Sequence, residues 1–83
     1  MDDVELKARL GQILAREERG QLVDWDWVFE QSDALLSELE RSVPDIVDEF
    51  LRGIERRRRD AIYGWAQRRL LRQYLRSASE PLR

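Results

Sequence analysis

Arginine is the residue type in this sequence with the most evident binding chemistry. Four arginines occupy positions 56–59, and a second group follows at Arg68, Arg69, Arg72 and Arg76. Guanidinium groups donate paired hydrogen bonds to phosphate and carboxylate oxygens. The two groups are therefore suited either to the backbone of a nucleic acid or to an acidic protein surface.

The first group has acidic side chains close by on the same helical segment. Asp48 precedes Arg52 by four residues, and Glu55 precedes Arg59 by four, a spacing that brings opposite charges together on one face of a helix. Arg56 falls on the same side as Arg52 and Arg59 at 100° per residue. We interpret Arg52, Arg56 and Arg59 as a secondary basic patch that is solvated or docks onto protein.

The second group has no acidic neighbour in its own segment. Arg68, Arg72 and Arg76 repeat every four residues, so they form one stripe along a helix. Arg69 lies beside this stripe. We predict that these four arginines bind a partner, which is another protein, a second copy of the chain or a nucleic acid.

The three tryptophans differ in their phase along the predicted helices. Trp25 and Trp65 fall on apolar stripes, which predicts that they belong to the core. Trp27 points about 200° away from Trp25, outside the apolar stripe. Because an exposed tryptophan often anchors an interface, we predict a partner contact at Trp27.

Composition excludes several classes of site. The chain has no cysteine and no histidine, so it lacks thiolate ligands, disulfides and the side chain used most often for proton transfer near neutral pH. Its carboxylates favour the first turns of helices, where the helix dipole explains them without a metal ion. We expect no catalytic residue, no metal, no cofactor and no small-molecule substrate.

Local signals divide the chain into helices. Asp2 stands three residues before Glu5 in the pattern of a capping box, Gly20 is suited to a helix end, and Asp24 can cap the next helix. Pro44 favours the start of a third. These signals predict an all-α fold, a small bundle of helices over about 3–19, 25–41 and 44–76, with a flexible tail at 77–83.

The apolar face of the third segment changes sides beyond Gly64. Before this glycine the apolar residues lie between about 0° and 100°, and beyond it they lie between about 200° and 340°. One explanation is a break near Gly64, which would act as a hinge and give a fourth helix. The other is a continuous helix whose second half packs against another chain, in a homodimer.

Charge is distributed unevenly along the 83 residues. Residues 1–50 carry five basic and fourteen acidic side chains, a net charge of −9, whereas residues 51–83 carry ten arginines and three acidic side chains, a net charge of +7. The acidic amino terminus and the lack of an apolar run near ~20 residues argue against a secretion signal or a membrane span and favour the cytoplasm.

The thin core of so short a chain favours association with a partner. We therefore expect a non-enzymatic helical protein-interaction module, a small regulator, adaptor or inhibitor that acts by helix docking or dimerisation. The alternative is a nucleic-acid-binding regulator that uses the arginine-rich carboxy-terminal helix. It ranks second because the acidic first half would repel nucleic acid.

Overall fold

Helices account for nearly all of the chain that the computed structural model describes, which is residues 2–39 and 43–79. This confirms the predicted all-α class. The five helices of these residues are α1 (Asp3–Glu17), α2 (Trp25–Glu38), α3 (Asp45–Arg52), α4 (Ile54–Arg59) and α5 (Ala61–Ser79).

The first two helices begin where their capping residues predict. The Asp2 carboxylate accepts a hydrogen bond from the backbone N–H of Glu5 at 2.8 Å, and the Asp24 carboxylate accepts one from the N–H of Trp27 at 3.1 Å. These bonds satisfy N–H groups that a helix leaves without partners in its first turn. The helices end two and three residues earlier than predicted, at Glu17 and Glu38.

A sharp turn follows α1 at Gly20. This glycine has φ +67°, a left-handed conformation that residues with a side chain seldom adopt. It opens a short 3₁₀ turn, Gly20–Leu22, which leads to Asp24 and the start of α2. The glycine therefore sets the direction in which α2 leaves α1.

The long third helix predicted over 44–76 is wrong, because the helical structure is interrupted twice within it. Gly53 separates α3 from α4, and a Cβ there would come 3.0 Å from the carbonyl oxygen of Glu49. Asp60 has an extended backbone, and its carboxylate accepts hydrogen bonds from the N–H groups of Ile62 and Tyr63 at 3.1 and 3.0 Å. Asp60 thus caps α5 and starts it as a separate helix.

The hinge predicted at Gly64 is also wrong in position. Gly64 is buried inside α5, four residues after the turn at Asp60. A Cβ on it would lie 3.2 Å from the carbonyl oxygen of Arg57 and 2.9 Å from the guanidinium of Arg68. Glycine therefore permits close packing of α5 here, and the change of apolar face arises at Asp60.

The carboxy-terminal boundary also differs from the prediction. The sequence pattern placed a flexible tail over 77–83, but α5 continues through Ser79. Residues 80–83 lie outside the described part of the chain. The predicted tail therefore begins at least three residues too early.

The core is formed by side chains from all five helices. Helix α1 packs against both α2 and α5, and α5 also packs against α3 and α4. None of the described helices is long and apolar enough to cross a membrane. The buried apolar residues are Leu6, Leu10, Ile13, Leu14, Val28, Leu35, Val47, Phe50, Leu51, Ile54 and Leu71.

Candidate functional site

One arginine of the run at 56–59 lies in the core. The Arg57 side chain is fully buried and forms two parallel hydrogen bonds to the Glu17 carboxylate, Nε to Oε1 at 2.9 Å and Nη2 to Oε2 at 2.7 Å. Its Nη1 donates to the carbonyl oxygen of Phe50, and the guanidinium lies 3.8 Å from the centre of the Phe50 ring. Arg57 therefore joins α4 to the end of α1 and is not available to a partner.

The sequence analysis does not predict this ion pair, although the position of Glu17 on α1 indicates a buried carboxylate. Glu17 continues the apolar stripe of α1, three and four residues after Leu14 and Ile13, so its position on the helix pointed inward. A carboxylate at such a position needs a buried cation. The partner lies 40 residues away, outside the reach of any local spacing rule.

Two acidic residues, the last of α1 and the one that follows it, also pair with arginines of α5. Arg68 donates to Glu17 at 3.3 Å, and Arg72 forms an ion pair with Glu18. The stripe has no acidic neighbour in its own segment, but in the folded chain Glu17 and Glu18 supply carboxylates to Arg68 and Arg72. Arg68 and Arg72 are partly buried as a result, whereas Arg69 is exposed.

The exposed tryptophan is Trp65, and Trp27 is half-buried. Trp27 packs against the core, with the Arg16 guanidinium 4.6 Å from its ring centre. Trp65 was predicted to lie in the core but is 59% exposed. Its phase was extrapolated from α3, and that phase is lost at the turn before α5. Trp25 is partly buried against the core.

Trp65 belongs to an exposed surface that we call the outer face of α5, formed by Ile62, Trp65, Arg69 and Leu70. Ile62 and Leu70 are 80% and 45% exposed, so three large apolar side chains face solvent on one helix. The Arg69 guanidinium lies 5.3 Å from the centre of the Trp65 ring, within the range of a cation–π interaction. The outer face of α5 thus combines apolar area with a positive charge.

A pocket of about 310 Å³ adjoins this face where α5 meets the end of α1. Two arginines of its lining form ion pairs with two glutamates of the same lining, Arg68 with Glu17 and Arg72 with Glu18. An anionic group that enters the pocket would therefore compete with a carboxylate already bound to the arginine. The lining residues are Glu17, Glu18, Gly20, Trp65, Arg68 and Arg72.

The secondary basic patch is largely occupied by contacts within the chain. Arg52 forms an ion pair with Asp48 at 2.9 Å, and the Arg56 guanidinium lies 4.1 Å from the centre of the Tyr63 ring. Arg59 is exposed. These residues also lie on two helices, because α3 ends at Arg52 and α4 begins after Gly53.

No family model, curated protein or solved structure matches this chain. Within residues 2–39 and 43–79, no cluster of acidic side chains is arranged as a metal site. The outer face of α5 and the adjoining pocket are therefore assigned from their geometry alone.

Proposed function

We propose that this protein is a non-enzymatic helical interaction module, a small regulator, adaptor or inhibitor, that docks the outer face of α5 onto another protein or onto its own copy. The observation that carries the proposal is the exposure of Trp65 between Ile62, Arg69 and Leu70. Tryptophan and arginine are the side chains enriched in interface hot spots, and here they are in contact.

The apolar area exposed on α5 is large enough to matter for binding. Trp65 leaves on the order of 150 Å² in water, since it is 59% exposed and a tryptophan side chain can bury up to about 250 Å². At roughly 25 cal/mol per Å², covering it contributes about 4 kcal/mol before the entropy of association is subtracted. Ile62 and Leu70 add to this area.

Charge pairing within the chain favours a protein over a nucleic acid as the partner. Arg57 is buried with Glu17, and Arg68 and Arg72 already hold carboxylates. A phosphate backbone would have to displace Glu18 from Arg72, in a region where the glutamates would repel it. An apolar surface that carries a carboxylate meets Trp65 and Arg69 without breaking these pairs.

Affinity capture from a native lysate tests the proposal. The wild-type chain, Trp65→Ala and the control Val4→Ala are used as bait, because Val4 is also an exposed apolar residue, at 78%, but lies at the start of α1. We expect the wild type and Val4→Ala to retain the same protein after nuclease treatment, and Trp65→Ala to lose it. Equal capture by all three baits refutes the proposal, and capture that nuclease abolishes favours the nucleic-acid alternative.

A further inference from the structure

A second charged surface lies on α2 and has the opposite sign. Asp26, Glu30 and Asp33 are exposed, and their spacing of four and three residues places them in one row along the helix. Phe29 and Leu36 are partly buried next to this row. We call Asp26, Glu30 and Asp33 the acidic face of α2.

The acidic face of α2 lies on a helix that carries no basic side chain of its own. Glu38 at the end of α2 forms an ion pair with Arg9 of α1 at 2.8 Å, and Glu17 and Glu18 pair with arginines of α4 and α5. The row of Asp26, Glu30 and Asp33 faces solvent, as does the outer face of α5. Helix α1 packs against both helices, and the two faces do not cover each other within one chain.

We propose that the outer face of α5 binds the acidic face of α2 in a second copy of this chain. The proposal rests on the proposed function and names its partner. Charge complementarity supports this pairing, because Arg69 would meet the carboxylates of the acidic face of α2. Trp65 would pack beside Phe29 and Leu36 at the edge of that face.

Twofold symmetry makes this contact occur twice. In an isologous dimer, α5 of each copy lies on α2 of the other, so every substitution in one face changes two contacts. A stable dimer of standard size covers about 800 Å² of each partner. That is roughly one-seventh of the 5867 Å² that this chain exposes.

Reciprocal charge reversal tests the pairing. Sedimentation equilibrium is measured for the wild type, Arg69→Glu and Glu30→Arg, for an equimolar mixture of the two variants, and for the double variant. We expect the wild type to dimerise at micromolar to millimolar concentration, from 10.0 kDa to twice that mass. Each single variant should raise the dissociation constant at least about tenfold, because like charges then face each other at both contacts.

The mixture and the double variant should both have a dissociation constant at least about threefold below those of the single variants, since the introduced acid then faces the introduced base. The recovery stays partial, because Asp26 and Asp33 also face the introduced acid. Arg58→Glu and Glu55→Arg, which reverse exposed charges on α4, are matched controls and should leave dimerisation unchanged. Recovery by a second charge reversal also shows that the single variants are folded. Failure of either recovery overturns the proposed pairing.

The result also separates this inference from the proposed function. In one outcome, the wild type is monomeric and captures a different protein that the Trp65→Ala variant loses. That result overturns the second copy as the partner and leaves the proposed function standing. A monomer with no Trp65-dependent capture overturns both. Dimerisation that Arg69→Glu and Glu30→Arg leave unchanged overturns the pairing of these two faces.

Discussion

Removing the carboxylate of Glu17 is expected to destabilise the protein strongly. Glu17 and Arg57 have fully buried side chains, and the carboxylate accepts two short hydrogen bonds from the guanidinium. Glu17→Ala leaves the Arg57 cation buried without this anion. The measured cost of breaking a buried pair in this way is about 3–5 kcal/mol.

This loss is a large fraction of the total for so small a domain, whose free energy of unfolding should be near the low end of the usual range of about 5–15 kcal/mol. The assay is urea denaturation followed by circular dichroism. Asp48→Ala is the matched control, because it removes the exposed pair with Arg52, and we expect it to cost at most about 0.5 kcal/mol.

A double variant separates the ion pair from ordinary packing. Glu17→Leu with Arg57→Met replaces both charges by apolar side chains, which is often neutral or stabilising when a buried pair is exchanged for well-packed residues. We expect the double variant to be more stable than Glu17→Ala. A cost below about 1 kcal/mol for Glu17→Ala, or a double variant that is the least stable of the set, would contradict a stabilising role of the Glu17 carboxylate.

Three further predictions follow from α5. Asp60→Ala should lower the free energy of unfolding by about 1 kcal/mol, because the N–H groups of Ile62 and Tyr63 lose their cap; an unchanged urea midpoint would contradict this. Gly64→Val should cost about 1–3 kcal/mol, because even a Cβ there lies 3.2 Å from a backbone oxygen, and a thermal melt equal to the wild type would argue against it. Trp65→Ala should change the free energy of unfolding by less than about 1 kcal/mol, because the side chain is mostly exposed; a larger loss in urea would make Trp65 a structural residue.

Capping chemistry explains what could be read from the sequence. Each of the aspartates Asp2 and Asp24 accepts a hydrogen bond from the backbone N–H three residues later. Gly20 ends the helical region through its own left-handed backbone conformation. These interactions need no knowledge of the rest of the fold. They correctly placed the starts of α1 and α2 and the turn between them.

The same chemistry was overlooked at Asp60. An aspartate followed by an apolar segment predicts the start of a helix, and Asp60 is in this respect the same as Asp24. A break predicted near Gly64 extends the apolar face of α3 through Trp65 and therefore assigns this tryptophan to the core. The correct position of the break gives a new phase and leaves Trp65 exposed.

Ion pairs across the fold were beyond local reasoning. Glu17 is 40 residues from Arg57 and 51 from Arg68 along the chain, and only the fold brings these side chains together. Spacing rules therefore found the exposed pair of Asp48 with Arg52 and missed the buried one. Arg57, Arg68 and Arg72 hold carboxylates of the same chain that their local spacing does not indicate.

Site-specific photocrosslinking tests directly whether the outer face of α5 binds protein. A benzoylphenylalanine replaces Trp65 on the outer face of α5, or Val4 as the control, and crosslinks formed in nuclease-treated native lysate are identified by mass spectrometry. We expect a discrete crosslink to protein, either another protein or a second copy, from position 65 and none from position 4. Equal crosslinking from both positions, or none from position 65, would contradict it.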